Sequence, residues 1–436
     1  MNKMPTENST RDSRRKFVKQ SLRAAVAFTI VPRFVLGRGY LAPSDKITLG
    51  FIGTGKQAKS LVKSFKDIAQ TVAGSDVDKQ KLAGFQKIAE SYYAEASQKT
   101  AYKGFTGYAD FREMLQRKDI DAIVVATPDH WHAVNAVMAA NAGKHVYCEK
   151  PMAHTIAEGR AMVDAMKKNK VILQVGSMQR SWDKFRTAVD LVRNGYIGKV
   201  KEVLVNVGDP AIPFDLPGMP LPAYLDWEGW VGPAPMRPYH TELSPPVEKD
   251  VYPNWRNYKE YGGGILSDWG AHMFDIAQWG LDMDSTGPVK FIPPTTDDAK
   301  RGLVMVYENG IVMKHEDFGR KWGVRFVGET GNLDISRDYL DSNPANIAKA
   351  TLHADAPRVY NSSNHYQDWL DCIKSGKQPI CDVETGHRSS SVCALANIAY
   401  WTKRTLEWDP KKEQFKNDAE ANALLKPTIR GDWKLV

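Results

Sequence analysis

Cysteine is scarce in this chain. Its 436 residues carry four, Cys148, Cys372, Cys381 and Cys393, at irregular spacings. No metal-type CxxC pair occurs among them, and a chain of this length can bury a sufficient core without a disulfide framework. A bridge between Cys372 and Cys381 is the single pairing to consider, and it is not expected. Membrane-length apolar runs are lacking as well. The apolar stretch near the N-terminus is short and interrupted by Arg23, too short to span a bilayer as a stable helix. A charge excess on the folded body is also missing. The formal net charge is +8, but residues 1–38 hold nine Lys and Arg against two acids, so +7 sits there and +1 remains for everything else. Nucleic acid is therefore not expected as a partner.

What stands at the N-terminus is Ser13-Arg14-Arg15-Lys16-Phe17-Val18-Lys19, followed by the weakly apolar Ser21–Phe28. Paired arginines ahead of such a stretch read as a twin-arginine export leader. Residues 1–42 are expected to be leader and linker, with the export machinery as partner and the periplasm as destination. The leader is either cut around Gly37–Ala42 or kept as a tether. A disordered basic arm is the plain alternative.

Residues 43–180 read as an α/β unit. A short apolar strand ends at Ile52, and Gly53-x-Gly55-x-x-Ala58 opens a helix. Glycines there permit a tight turn and close approach of backbone to a pyrophosphate at a helix N-terminus. A second strand, Thr71–Ser75, ends at Asp76, whose carboxylate suits ribose hydroxyls and repels a 2′-phosphate. NAD is expected over NADP, with Lys79 and Lys81 keeping the second in view. Strands and helices then alternate through Asp121–Pro128, His132–Ala142, Lys144–Cys148 and Ile156–Lys168. That pattern implies a parallel sheet covered on both faces, with ligands at the carboxyl ends of its strands. Gly53, Thr54, Gly55, Lys56, Gln57, Asp76, Thr127, Pro128, His132, Glu149, Lys150 and Gln179 are the candidate cofactor-binding residues.

Gly53-x-Gly55, Ala126-Thr127-Pro128 with His132, and Ala142-Gly143-Lys144-His145-Val146-x-Cys148-Glu149-Lys150-Pro151 together resemble the Gfo/Idh/MocA family of glucose–fructose oxidoreductase and inositol dehydrogenase. The resemblance covers roughly residues 46–405. It implies a Rossmann-type domain followed by an α+β domain with an open, mostly antiparallel sheet. It also implies a cis proline at Pro151 and a Lys150 that faces both nicotinamide and substrate.

The second half, residues 181–410, starts a sheet at Lys199–Val207 and continues it near Leu303–Tyr307, Ile311–His315 and Gly323–Val327. Tyr307-Glu308-Asn309-Gly310 reads as a hairpin turn. Between them lies an irregular stretch, about 208–262, with Trp227, Trp230, Tyr239, Tyr252, Trp255, Tyr258 and Tyr261. So many rings argue against disorder. They suit the apolar faces of sugars, or subunit packing. In Gly262-Gly263-Gly264-Ile265-Leu266-Ser267-Asp268-Trp269-Gly270-Ala271-His272-Met273-Phe274-Asp275 a helix would set Asp268, His272 and Asp275 on one side. His272 is a suitable proton acceptor. In the resembled family Asp268 and His272 fall on a substrate-binding acid and the catalytic histidine, and Asp275 is expected to hold the helix start or the His ring. No metal is expected. Residues 411–436 read as a peripheral tail.

The expected chemistry is NAD-dependent oxidation of a secondary hydroxyl on a small carbohydrate. His272 acts as base, Lys150 positions and polarises the hydroxyl, and Asp268 binds neighbouring hydroxyls or orients the base. Arg180, Trp182, Trp255 and Tyr258, with Asp268 and His272, are the candidate substrate-binding residues. Export implies a tightly held cofactor reset within each cycle, and a homo-oligomer through the C-terminal sheet is expected. Two alternatives stand beside this: an NAD-dependent glycoside hydrolase or lyase acting through a transient keto-sugar, and a non-catalytic sugar-binding relative.

Overall fold

The computed structural model describes residues 46–96 and 104–435; the export leader expected over residues 1–42 lies outside them. Short, wholly buried apolar segments build the first sheet. Its elements are β1 (Thr48–Ile52), α1 (Lys56–Phe65), β2 (Gln70–Ser75), α2 (Lys79–Ala96), β3 (Thr106–Tyr108), α3 (Phe111–Leu115), β4 (Ala122–Val125), α4 (Asp129–Asn141), β5 (His145–Cys148), α5 (Ile156–Asn169) and β6 (Leu173–Val175). The six strands are parallel in the order β3-β2-β1-β4-β5-β6. Strand order reverses at β1 and β4, and that crevice is where doubly wound sheets bind ligands. Local chemistry agrees with the element ends. Thr155 and Glu158 form a reciprocal capping box at the start of α5, and the Asp110 side chain accepts the Arg112 N–H at the start of α3.

The second half contributes α6 (Asp183–Arg193), β7 (Val200–Asn206), α7 (Trp227–Val231), α8 (Gly264–Gly280), β8 (Lys290–Ile292), β9 (Leu303–Val306), β10 (Val312–His315), β11 (Gly323–Gly328), β12 (Asn332–Ile335), β13 (Leu340–Asn343), α9 (His365–Ser375), α10 (Val383–Thr402), β14 (Leu406–Asp409), β15 (Gln414–Phe415) and α11 (Ala419–Ala423). Its nine strands run β13-β12-β11-β7-β10-β9-β8-β14-β15. Only β7 and β10 pair in parallel; the other paired neighbours are antiparallel. The turn between β9 and β10 falls where the sequence places it, with Gly310 at φ +84°.

Helix α8 is apolar almost all round, which suits a helix with no solvent face. Its Met273, Phe274, Ile276 and Ala277 share one core with Val203, Val205, Met305, Met313 and Phe326 of the sheet. The glycines ahead of it have a steric reason. A Cβ on Gly262 would lie 2.9 Å from the Arg256 Cα, and one on Gly264, at φ +73°, 2.4 Å from the Ala211 N. The bend into α8 therefore admits only bare backbone. Helix α9 returns to the first sheet, where the Trp369 ring lies edge-on to Phe65 and Tyr147 at 5.7 and 5.6 Å.

Two expectations change. Most rings of the 208–262 stretch pack against one another first, Trp230 and Trp255 reaching the cavity as well. Trp227, Trp230, Tyr239, Trp255, Tyr258 and Tyr261 are buried in one cluster with Phe214 and Leu243, and Trp227 stacks on Trp230 at 4.6 Å. An irregular segment rich in proline cannot satisfy itself by helix or sheet packing, so large rings supply its small core. Nor is the C-terminal stretch peripheral. Phe415 and Leu425 are buried in the second core, and Trp433 sits 4.7 Å from the Trp131 ring on α4. All four cysteines are free and buried.

Candidate functional site

A cavity of about 820 Å³ opens at the carboxyl ends of the first sheet. One wall is built from the turns that follow β1, β2, β4 and β5. The other comes from α8, the turn after β12 and the 243–256 part of the irregular stretch.

The wall after β1 fits a dinucleotide. Gly53 has φ +82°, and a Cβ there would meet the Ala126 carbonyl oxygen at 2.7 Å, whereas the space at Gly55 is open. The first glycine is thus demanded by the neighbouring strand, and the second leaves backbone bare toward the cavity. Helix α1 begins at Lys56 with no acidic residue in its first turn, as phosphate binding requires. Asp76 ends β2 and lines the cavity. Its Oδ2 accepts the Thr54 N–H and hydroxyl at 2.8 and 3.0 Å, and its Oδ1 accepts the Asp78 N–H at 2.9 Å. Burial raises its pKa, against the pull of Lys81 and those N–H groups. Lys81 is itself committed to Asp78 at 3.3 Å and the Ser244 hydroxyl at 2.8 Å. A carboxylate here with its nearest cation occupied fits free ribose hydroxyls, hence NAD. Thr54 is fully buried and orients Asp76 rather than facing the cavity.

Further along, Thr127, Pro128 and His132 line the same wall. His132 lies between two carbonyls, Pro151 O at 2.8 Å from Nδ1 and Thr127 O at 2.9 Å from Nε2; the neutral ring donates to one of them and packs between the turns after β4 and β5. Burial lowers its pKa to about 4. Glu149 accepts from Gln57 Nε2 at 2.9 Å; burial raises its pKa, with Lys150 and Gln57 opposing. The Lys150–Pro151 bond is cis.

At the far end Lys150, Asp268 and His272 converge. Lys150 Nζ donates to Asp268 Oδ1 at 2.7 Å and to the Asp268 carbonyl at 3.0 Å. Arg256 Nε lies 3.5 Å from Asp268 Oδ2, an ion pair without hydrogen-bond geometry. Burial alone would raise the Asp268 pKa, but Lys150 and Arg256 hold it below the usual carboxylate range. His272, one turn on, is 4% exposed, and its Nδ1 has no hydrogen-bond partner. Burial, then Lys150 and Arg337, push its pKa well below 6.5. His130 Nδ1 is buried without a partner too, away from the cavity; what distinguishes His272 is that its ring lines the cavity beside Lys150. The arrangement offers a neutral imidazole, an ammonium fixed by a carboxylate, and a space between them.

Several candidates lie elsewhere. Arg180 is 1% exposed and forks onto Asp275 and Asp284 at 2.7–2.8 Å. It joins the first half to α8 and does not line the cavity. Asp275 is consumed by that pair and by Ser389 at 2.6 Å, so it does not hold the His272 ring. Asp268 holds Lys150 rather than His272. Gln179 stands behind the wall, accepting from Arg337 Nε at 2.8 Å. Trp182 is on the surface at 39% exposure, and Tyr258 is in the ring cluster; neither lines the cavity, whereas Trp255 does. Sequence reasoning missed Arg256, Trp269, Arg337 and Trp433, all of which line it. Arg256 and Trp269 adjoin residues already singled out. Arg337, on the turn after β12, carries no local signal. Among the described residues no His, Cys, Asp and Glu group could hold a metal ion.

Comparisons with known proteins add the following. Residues 47–177 match the model of the oxidoreductase family's NAD-binding Rossmann fold, and residues 213–435 match that family's C-terminal alpha/beta domain. The chain is similar to the levoglucosan dehydrogenase of Pseudarthrobacter phenanthrenivorans, 36% identical over 107 residues, 24% of this chain and 27% of that protein. It is similar to a glycosyl hydrolase family 109 protein of Shewanella sp. (strain W3-18-1), 27% identical over 179 residues, 40% of this chain and 38% of the relative. The chain thus spans less than half the length of these curated relatives. Among solved structures, the WlbA dehydrogenase of Bordetella pertussis in complex with NADH and UDP-GlcNAcA superposes with a TM-score of 0.58 at 20% identity, over 84% of this chain and 98% of that one.

Proposed function

The chain belongs to the Gfo/Idh/MocA oxidoreductase family, and from that premise we propose that it oxidises a secondary hydroxyl of a sugar or sugar derivative with an NAD that stays bound between turnovers. The observation that carries this reading is the meeting of Lys150, Asp268 and His272 in the cavity that also contains Gly53, Gly55 and Asp76. Asp76 would hold the adenosine ribose, and the Gly53–Gln57 turn the pyrophosphate. Bound NAD supplies the hydride acceptor.

The remaining work falls to side chains. The Asp268 clamp on Lys150 fixes an ammonium where it can donate to the hydroxyl oxygen and favour negative charge on it. His272 is neutral at physiological pH and takes the hydroxyl proton. Its depressed pKa makes it a weak base, and the neighbouring ammonium compensates by making the hydroxyl more acidic. Trp255 and Trp269 line the same end, under the Arg256 and Arg337 guanidiniums.

Retention of the cofactor rests on the irregular stretch. Lys56 Nζ binds the Asp250 carbonyl and lies 3.3 Å from its carboxylate. Lys81 reaches Ser244, the Lys79 N–H donates to Tyr224 O at 3.0 Å, and the Asp226 N–H to Val77 O at 3.0 Å. These ties close residues 224–256 over the dinucleotide wall. Export through the twin-arginine leader fits such retention, because free NAD is scarce outside the cytoplasm. An oligomer through the second sheet is part of the reading. The outward face carries partly covered Leu204, Val304, Val306 and Val312 around the Lys314–Glu202 pair, a mixed surface of the kind found between copies.

The test is to purify the full chain without added cofactor, release bound nucleotide by denaturation, and offer a sugar panel. Stoichiometric NAD and reduction of bound nicotinamide by a sugar are expected. An empty protein that needs excess free NAD would overturn retention. The Shewanella relative favours a second reading, in which a transient ketone acidifies the adjacent C–H and a glycosidic bond is eliminated. Chromophore release from aryl glycosides with no net NADH would select it.

A further inference from the structure

The substrate end of the cavity gathers cations. Lys150, Arg256 and Arg337 all line it. Asp268 is held below the usual carboxylate range by Lys150 and Arg256. Two other carboxyls, Asp129 and Glu149, line the same region, and Glu149 is engaged by Gln57 and the Lys150 N–H. Arg337, whose pKa burial lowers, forms no ion pair with the described residues, and a desolvated cation without an anion is costly unless a ligand supplies it.

Arg337 shows how such an anion would be taken. Its guanidinium lies over the Trp269 ring at 4.5 Å and near the Trp182 ring at 5.5 Å. Its Nε edge is fixed by Gln179 at 2.8 Å. Stacked faces and a fixed Nε leave the edge with two terminal nitrogens, and these make no hydrogen bond to the described residues. That edge matches two oxygens of one anion. Arg256 is the nearer second cation. It lies over the Trp255 ring at 4.6 Å and is anchored on the Pro253 carbonyl, with its Nε facing Asp268 Oδ2 at 3.5 Å.

We propose that the substrate is an acidic sugar, a uronate or uronate derivative, whose carboxylate is bound by Arg337 with Arg256 as second cation, beside the reacting hydroxyl at Lys150 and His272. This inference rests on the sugar-oxidising reading of the same site. A sugar phosphate shares the oxyanion chemistry, so the test separates the two.

Binding of glucuronate, galacturonate, glucose, galactose and glucose 6-phosphate to the NAD-loaded full chain is measured by calorimetry, alongside reduction of bound nicotinamide. At least one uronate should bind about 10- to 100-fold more tightly than the neutral sugar of the same configuration, the range that one charge-assisted fork supports. The preference should shrink as salt rises. Arg337→Gln should bring the ratio close to one, and Arg337→Lys, which keeps charge but not the fork, should lie between. Equal binding of acid and neutral sugars, a ratio unmoved in Arg337→Gln, or no uronate binding at all would each overturn the proposal. Tighter binding of the phosphate than of either uronate would overturn the carboxylate. Arg256→Gln that weakens NAD and not uronate would remove Arg256 from the subsite. Reduction of bound nicotinamide by neutral sugars alone would leave the oxidoreductase standing without its acidic substrate. Uronate binding with no reduction by any sugar would do the reverse.

Discussion

The two walls of the cavity are built on opposite principles. On the cofactor wall most polar groups have work inside the protein, Asn135 Oδ1 being an exception. Asp76 accepts three hydrogen bonds, and His132 lies between two carbonyls. On the substrate wall His272 Nδ1 and Arg256 Nε are buried without a hydrogen bond. A satisfied network fixes one geometry before any ligand arrives. Unsatisfied groups are tolerated where a transient ligand completes them.

Removing one histidine from each wall is the strongest way to break this comparison. His272→Ala and Lys150→Met should lower kcat by about 10²- to 10⁴-fold while bound NAD and the unfolding midpoint stay near those of the parent. His132→Ala should do the opposite to stability, costing about 2–4 kcal/mol because a buried carbonyl loses its donor and a void opens. Turnover rates, NAD content and denaturant melts read both. A His272→Ala protein as destabilised as His132→Ala would show that the two rings serve one structural purpose.

Acid separates them a second time. His130 and His315 are held down to about 3, and His132 and His365 to about 4, in each case first by burial. Their folded values lie below the unfolded 6.5, so the unfolded chain binds more protons between pH 6.5 and 4. Stability should therefore fall as pH drops below 6.5, by up to about 1.4 kcal/mol per unit for each ring. Glu158, raised by burial to about 7, works the other way and gains stability as pH falls through 7. His154, held to about 4, and His272 add to the loss, and Asp129, Asp76 and Glu149, raised by burial, to the gain. The depressed rings outnumber the raised carboxyls, and a net loss is expected in denaturant midpoints between pH 7.5 and 5. A flat profile would mean that these rings are not held neutral.

Asp76→Ala tests the cofactor wall alone. NAD affinity should drop about 10- to 100-fold, and the preference over NADP should narrow, since a charged acceptor is lost and with it the repulsion of a 2′-phosphate. Competition binding of the two nucleotides measures both. Unchanged discrimination would shift the choice of cofactor to Lys79 and Lys81.

The cofactor wall was also the more legible in sequence. Gly53, Asp76, Thr127 and Lys150 follow strands whose apolar runs are short and bounded, so local pattern places them together. The pair Asp268 and His272 was legible because helical spacing is local as well. Arg337 was not, since its place depends on a turn between two strands of the second sheet. Arg180 misled for a related reason: an arginine at the end of the nucleotide-binding half looks like a ligand until its two aspartates, Asp275 and Asp284, arrive from α8 and beyond. The rings of the irregular stretch misled because composition cannot distinguish a stacking platform from a small core.

The weakest effect bears on what joins the two walls. Lys56 meets Asp250, and the Tyr252 hydroxyl lies 3.4 Å from Gln57 Oε1. Both contacts are at the surface, Asp250 being 70% exposed at its side chain, so each should contribute only about 0.2–1 kcal/mol. Lys56→Ala, or Tyr252→Phe, should then speed loss of bound NAD by no more than about fivefold, measured by chasing it with a fluorescent analogue. The double variant should act nearly as the sum if the ties are independent, and short of it if both hold the same flap. If neither changes the rate, retention lies with the buried wall around Asp76, and the irregular stretch serves the substrate end alone.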